Sequence, residues 1–319
     1  MVAKSVLVTG ASGLLGKQVR EVFEIDRWKA VGTALNRIDP PEIVSLDILD
    51  AKQVERVLDE VKPDVVVHCA ANRFPDSCSS DPKAAKALNV DASRSLAEAT
   101  IARGAVFIYI STDYVFPGTK GEAPYTISST PDPPNVYGQT KLDGEKAVLD
   151  AAKNVGAKNK VVVLRVPILY GKCDEPHASA VNVLMSQLWA AQKIEQGKKI
   201  KVDDYALRFP TNTSDVGRVC RDIASLYMDT SNANRDLPDI LHFSSEDQMT
   251  KWQMVQTFAD IMGLPLDGME PFKPDDAEIE GVKRPYDCHL DTSALKELNI
   301  DVGTVDFRTW WRMEVGAFR

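Results

Sequence analysis

Short, almost wholly apolar runs alternate with amphipathic stretches through the first half of the chain. That alternation predicts βαβ units wound around a parallel sheet. Strands are expected over 5–9, 30–34, 64–68, 106–110 and 161–165, with helices near 14–24, 51–60, 83–103 and 136–152. Val106-Phe107-Ile108-Tyr109-Ile110 is apolar nearly throughout, as a strand covered on both faces should be. After about Tyr170 the pattern loosens. A helix-like segment over 178–195 precedes Lys-rich Gly197-Lys198-Lys199-Ile200-Lys201, then short strands and helices follow. The Pro/Asp-rich segment 270–276 reads as a surface loop. The expected organisation is a nucleotide-binding domain over 1–170 and a smaller α/β lobe over 171–319, interleaved with the first and capping the sheet's carboxyl edge.

Composition narrows the partners. The chain has 319 residues, is 44% hydrophobic and 26% charged, and carries a formal net charge of −8. Such a balance argues against nucleic acid or an acidic membrane surface as the main partner. No apolar stretch reaches the ~20 residues of a membrane span, and the N-terminus enters a strand with no signal-peptide pattern. The cytoplasm is the expected location, with the nucleus beside it. The five cysteines show neither a C-x-x-C pair nor metal spacing, and His68, His177, His242 and His289 are scattered, so no metal site is expected.

Chemistry concentrates at three places. Thr9-Gly10-Ala11-Ser12-Gly13-Leu14-Leu15-Gly16 follows the first strand with the spacing G-x-x-G-x-x-G. Small residues there let the backbone approach a pyrophosphate at a helix N-terminus, so Gly10, Ser12, Gly13, Leu14, Leu15 and Gly16 are candidate dinucleotide contacts in a Rossmann-type, doubly wound α/β fold. The second strand leads into Asn36-Arg37 with no acidic residue for a ribose 2′-hydroxyl. Arg37 is placed for a 2′-phosphate, which favours NADP over NAD; a solvated loop arginine beside Asp39 is the other reading. Asp47 and Ile48 are candidate adenine contacts, and Asp47 fits a helix-cap region equally well. Ala70 and Ala71 would let the chain pass close to the cofactor. Finally, Tyr137 and Lys141 lie four apart on one helical face. The ammonium would there lower a phenol pKa that starts near ~10.

Together these motifs resemble the extended short-chain dehydrogenase/reductase superfamily. The resemblance implies Thr112, Tyr137 and Lys141 as its catalytic set, Asn89 as the supporting asparagine, and Asn89, Tyr137, Lys141 and Pro167 among the cofactor contacts. Ser111-Thr112-Asp113-Tyr114-Val115-Phe116 and Asn135-Val136-Tyr137-Gly138 look like the dTDP-4-dehydrorhamnose reductase branch. Within that branch several segments resemble the family of non-catalytic regulatory (beta) subunits of methionine adenosyltransferase. They are His68–Asp76, Lys141–Leu149, Leu164–Gly171, Arg208–Thr211, Gln248–Lys251 and Lys283–Pro285. The family implies NADP as cofactor, a methionine adenosyltransferase catalytic subunit as partner, and docking through the C-terminal tail. Trp311, Arg312 and Phe318 are the expected docking residues, with packing into the chain's own core as the other reading; Trp310 is expected in the core. The first function implied is modulation of S-adenosylmethionine synthesis. The second is NADPH-dependent reduction of a nucleotide-linked 4-keto sugar.

Overall fold

The computed structural model describes residues 4–195, 197–232, 234–273 and 282–317. Strands β1 (Ser5–Thr9), β2 (Lys29–Ala34), β3 (Ile43–Ser45), β4 (Val65–His68), β5 (Val106–Thr112) and β6 (Val161–Val166) come from the first half of the chain. The second half supplies β7 (Leu169–Tyr170), β8 (Ile200–Asp203), β9 (Thr211–Asn212), β10 (Ile240–His242) and β11 (Met269–Phe272). Seven of them form one parallel sheet in the order β10-β6-β5-β4-β1-β2-β3. The order reverses at β1, where an α/β sheet opens its ligand crevice.

Helices cover both faces. They are α1 (Leu14–Ile25), α2 (Ala51–Val61), α3 (Pro75–Ser80), α4 (Pro82–Lys86), α5 (Ser93–Ala102), α6 (Val136–Asn154), α7 (Asn182–Ala191), α8 (Thr213–Met228), α9 (Lys251–Met262), α10 (Ser293–Glu297) and α11 (Phe307–Glu314). Alternate residues of the apolar strands divide between the faces. Val6, Val8, Val65, Val67, Ile108 and Leu164 pack with Val19 and Phe23 of α1 and Val216 and Ile223 of α8. Leu7, Val66, Phe107, Tyr109 and Val163 face Val57 of α2, Leu96 of α5 and Val148 of α6. Burying both sides is what the near-continuous apolar runs demanded. None of the helices among the described residues is long and apolar enough to cross a membrane.

Three expectations need correction. The helix expected over 83–103 is interrupted by a π-helical turn, Ala87–Ala92, between α4 and α5. Periodicity does not register one extra residue per turn, and such widened turns often sit at functional sites. The segment 178–195 holds only ten α-helical residues, those of α7. The supposed loop over 270–276 begins as part of β11, which pairs with β8 from Met269↔Ile200 to Phe272↔Asp203; its residues 274–276 lie outside the described residues.

Candidate dinucleotide site

The chain leaves β1 at Thr9 and turns at Gly10, whose φ of +67° favours glycine. A Cβ there would lie 2.9 Å from the Ala70 amide nitrogen. A Cβ on Gly16 would lie 2.3 Å from the Gly10 carbonyl oxygen, so α1 must start on top of the loop. Gly13 caps α1 with no side-chain hydrogen bond, which leaves the first-turn amides available to an anion. The Thr9 hydroxyl accepts from the Ala70 amide at 3.3 Å and pairs with His68 Nδ1 at 2.7 Å, tying the ends of β1 and β4 together.

Around this loop lies a cavity of about 750 Å³. Gly10, Ser12, Gly13, Leu14, Leu15, Gly16, Arg37, Asp47, Ile48, Ala70, Ala71, Thr112, Tyr137, Lys141 and Pro167 all line it. Its floor of small residues, uncapped helix end and flanking Arg37 fit a phosphorylated dinucleotide. Asp47 is not the cap of α2. That role belongs to Asp50, which accepts from the Lys52 and Gln53 amides, while Asp47 accepts from Leu49 at 2.9 Å and keeps a face on the cavity.

Asn89 is a correction. Fully buried in the π-helical turn, it does not line the cavity. Its amide accepts from Asn72 N at 2.8 Å and donates to Asn72 O at 3.0 Å and Thr140 Oγ1 at 3.1 Å. It therefore positions the segment after β4 rather than touching a ligand.

The Tyr–Lys geometry also departs from expectation. Lys141 Nζ donates to the Ile110 carbonyl at 2.8 Å and sits 3.9 Å above the Tyr109 ring. Burial pulls the Lys141 pKa down to about 7, against the opposing charge of Glu145. Tyr137 is not lowered. Burial raises it, a Thr112 hydrogen bond opposes that, and the negative ends of Asp113 and Tyr114 add to the rise. The Lys141 head group is thus hydrogen-bonded to the end of β5. Gly138 allows α6 to press against the turn after β5; a Cβ there would lie 2.1 Å from the Tyr114 carbonyl oxygen.

Sequence reading missed Asp113. It lines the cavity beside Thr112, whose hydroxyl donates to it at 3.1 Å. Burial pushes its pKa up to about 7 although Arg208 opposes the shift. Arg73, Arg208, Lys251 and Arg284 also line the cavity without having been assigned a role. Each falls within a segment that carries the beta-subunit resemblance, and nothing local to it shows that the four would share one cavity.

The tail is corrected in part. Trp311 is only 4% exposed, with its ring 4.6 Å from that of Phe258. Trp310 is partly buried and packs edge-on against Tyr170 at 5.1 Å. Arg312 lies on the exposed side of α11, and Phe318 is outside the described residues. The two-residue pattern could not tell which tryptophan faces inward, because that depends on where α11 lands on α9.

His68 gives a pH test. Its Nε2 lies 3.0 Å from Ser93 Oγ, and burial, helped by the Lys141 charge, pushes its pKa from 6.5 down to about 3. The unfolded chain binds this proton below about pH 6.5 and the folded chain does not, so stability is full above that pH and falls as pH drops towards 3. At pH 5 the loss is about 2 kcal/mol. Urea unfolding of wild type and His68→Asn should show the wild type losing about 2 kcal/mol more than the variant between pH 7.5 and 5. Equal losses would refute a neutral buried imidazole.

Comparison with known proteins follows the same outline. The chain matches the family described as RmlD substrate binding domain over residues 4–315. It is 41% identical over 297 residues to methionine adenosyltransferase 2 subunit beta of Pongo abelii, covering 93% of this chain and 83% of the relative. It is 42% identical over 165 residues to dTDP-4-dehydrorhamnose reductase of Streptomyces griseus, 52% of this chain and 50% of that one. The fold resembles the crystal structure of the Bacillus anthracis dTDP-4-dehydrorhamnose reductase in complex with NADP, with a TM-score of 0.78 at 23% identity over 98% of each chain.

Proposed function

The chain belongs to the RmlD substrate binding domain family and, within it, to the group of methionine adenosyltransferase 2 beta subunits, and from that membership we propose a non-catalytic regulatory subunit that binds NADP, associates with methionine adenosyltransferase and modulates S-adenosylmethionine synthesis. The observation that carries this reading is identity of 41% spread over nearly the whole chain, rather than confined to the nucleotide loop. The cavity supports the cofactor part. Gly10 to Gly16 and the uncapped start of α1 would hold the pyrophosphate, Arg37 a 2′-phosphate, and Asp47 with Ile48 the base. A bound nicotinamide would supply hydride chemistry, but here Tyr137 is raised and Lys141 is bonded to Ile110. A protonated phenol and a lysine held in this way can hydrogen-bond the ribose whether or not a proton is then transferred.

Mixing the purified chain with a methionine adenosyltransferase catalytic subunit should give a complex on size-exclusion chromatography; two separate peaks would sink the proposal. The docking part needs its own variant. Deleting from Trp311 onward would remove a core side chain, so the informative truncation removes residues 317–319, and Arg312→Glu complements it. Both should weaken the complex without lowering the melting temperature.

The retained Thr112, Tyr137 and Lys141 favour a second reading, NADPH-dependent reduction of a nucleotide-linked 4-keto sugar. NADPH oxidation with dTDP-4-dehydro-6-deoxy-L-mannose, abolished by Tyr137→Phe, would establish it in place of the first.

A further inference from the structure

Beneath the cavity, buried hydrogen bonds join into one chain whose direction is fixed. It ends on the Asn89 carbonyl, which can only accept. Ser93 Oγ donates to that carbonyl at 3.0 Å and has spent its single proton. His68 Nε2, 3.0 Å from Ser93 Oγ, must then carry a proton and donate. Burial, helped by the Lys141 charge, keeps the ring neutral, so Nδ1 is bare and accepts from Thr9 Oγ1 at 2.7 Å. The Thr9 oxygen in turn accepts from the Ala70 amide at 3.3 Å. A carbonyl at one end and an amide at the other demand the same polarity, which the Nε2–H tautomer supplies.

Both halves of the candidate dinucleotide site hang on this chain. At one end the Ala70 amide packs against the glycine loop, where a Cβ on Gly10 would lie 2.9 Å from the Ala70 nitrogen. At the other, the Asn89 side chain donates to Thr140 Oγ1 at 3.1 Å, and Thr140 Oγ1 donates to the Tyr137 carbonyl at 2.9 Å. The imidazole sits in the middle, tilted against the rings of Phe107 and Tyr109 at 5.7 and 5.8 Å. Thr9, Ser93 and Asn89 are fully buried and His68 is 1% exposed, so no solvent stands ready to replace a lost partner.

We propose that His68 is a positioning residue for the dinucleotide: as the Nε2–H tautomer it fixes the glycine loop after β1 relative to the Tyr137 turn of α6. The role rests on the dinucleotide reading of the cavity and gives it a determinant that never meets the ligand.

Fluorescence titration of the full chain with NADPH tests the acceptor on the ring. Asparagine places an oxygen where Nδ1 stands, so His68→Asn should keep NADPH affinity within about threefold of wild type. Phenylalanine fills the space without an acceptor, so His68→Phe should weaken binding about tenfold. Neither side chain reproduces the Nε2 donor, so the acceptor alone separates them. Thr9→Val removes the same hydrogen bond from the other side, and the double variant Thr9→Val/His68→Phe should bind no more weakly than Thr9→Val alone. Equal affinity in the two His68 variants, or losses that multiply in the double variant, overturns the role. On the unloaded wild type, 15N NMR of the histidine-labelled chain should show the His68 proton on Nε2, its signal identified by its loss in His68→Asn. A proton on Nδ1 overturns the role even if His68→Phe does not fold. Failure of wild type to bind NADPH would sink the dinucleotide reading instead. Exchange of the Ala70 amide then decides: faster in His68→Phe than in His68→Asn supports the positioning, and equal rates refute it.

Discussion

Glu145→Ala should lower the unfolding free energy by about 3–5 kcal/mol, and the melting temperature by on the order of 5–10 °C. Glu145 and Arg165 are each 2% exposed in their side chains and form a two-pronged pair, Nε to Oε1 at 2.9 Å and Nη2 to Oε2 at 2.6 Å. Ser111 donates to the same carboxylate at 2.5 Å, and Arg165 Nη1 lies 3.3 Å from His242 Nε2. One cluster thereby joins α6, β5, β6 and the late strand β10. Removing the carboxylate strands a guanidinium in the sheet's interior, which is costlier than the pair's own net worth. A Glu145→Leu/Arg165→Met double variant should therefore recover much of the loss. A single variant within about 1 kcal/mol of wild type by urea unfolding would refute the argument.

Gly16→Ala should weaken NADPH binding at least about 100-fold, roughly 2.7 kcal/mol, with the far-UV spectrum retained. The added methyl group would stand 2.3 Å from the Gly10 carbonyl oxygen and 2.9 Å from Ala11 Cα, both backbone atoms. Neither can rotate away, so the loop and the start of α1 must separate, and the amides that would face a pyrophosphate lose their alignment. Alanine is the better helix former, so the helix itself survives. Fluorescence titration reads the loss. Affinity within threefold of wild type would show that the loop does not hold the dinucleotide, and tighter binding of NADH than NADPH would remove Arg37 from the 2′-phosphate.

Local patterns were read where their cause is local. The apolar runs 106–110 and 161–165 were placed because strands buried on both faces need them, and β5 and β6 extend those runs to Thr112 and Val166. The strand β10, three residues long, escaped notice because nothing local distinguishes Ile240-Leu241-His242 from a loop; it is a strand because β6 offers an edge. Trp310 packs against the core as expected, and of the two readings open for Trp311 the fold takes the core one, for the same reason.

By itself the sequence determined the parallel α/β order, the glycine loop and its cavity-facing neighbours, since period, turn chemistry and small-residue spacing act over a few residues. Only the tertiary structure decided where charge sits. It gave Lys141 the carbonyl of Ile110 as a partner, withdrew Asn89 behind the wall, and brought Arg208, Lys251 and Arg284 together from three distant segments. Long side chains take whichever partner lies within hydrogen-bond reach, and in a folded chain those partners are set by packing rather than by proximity in sequence.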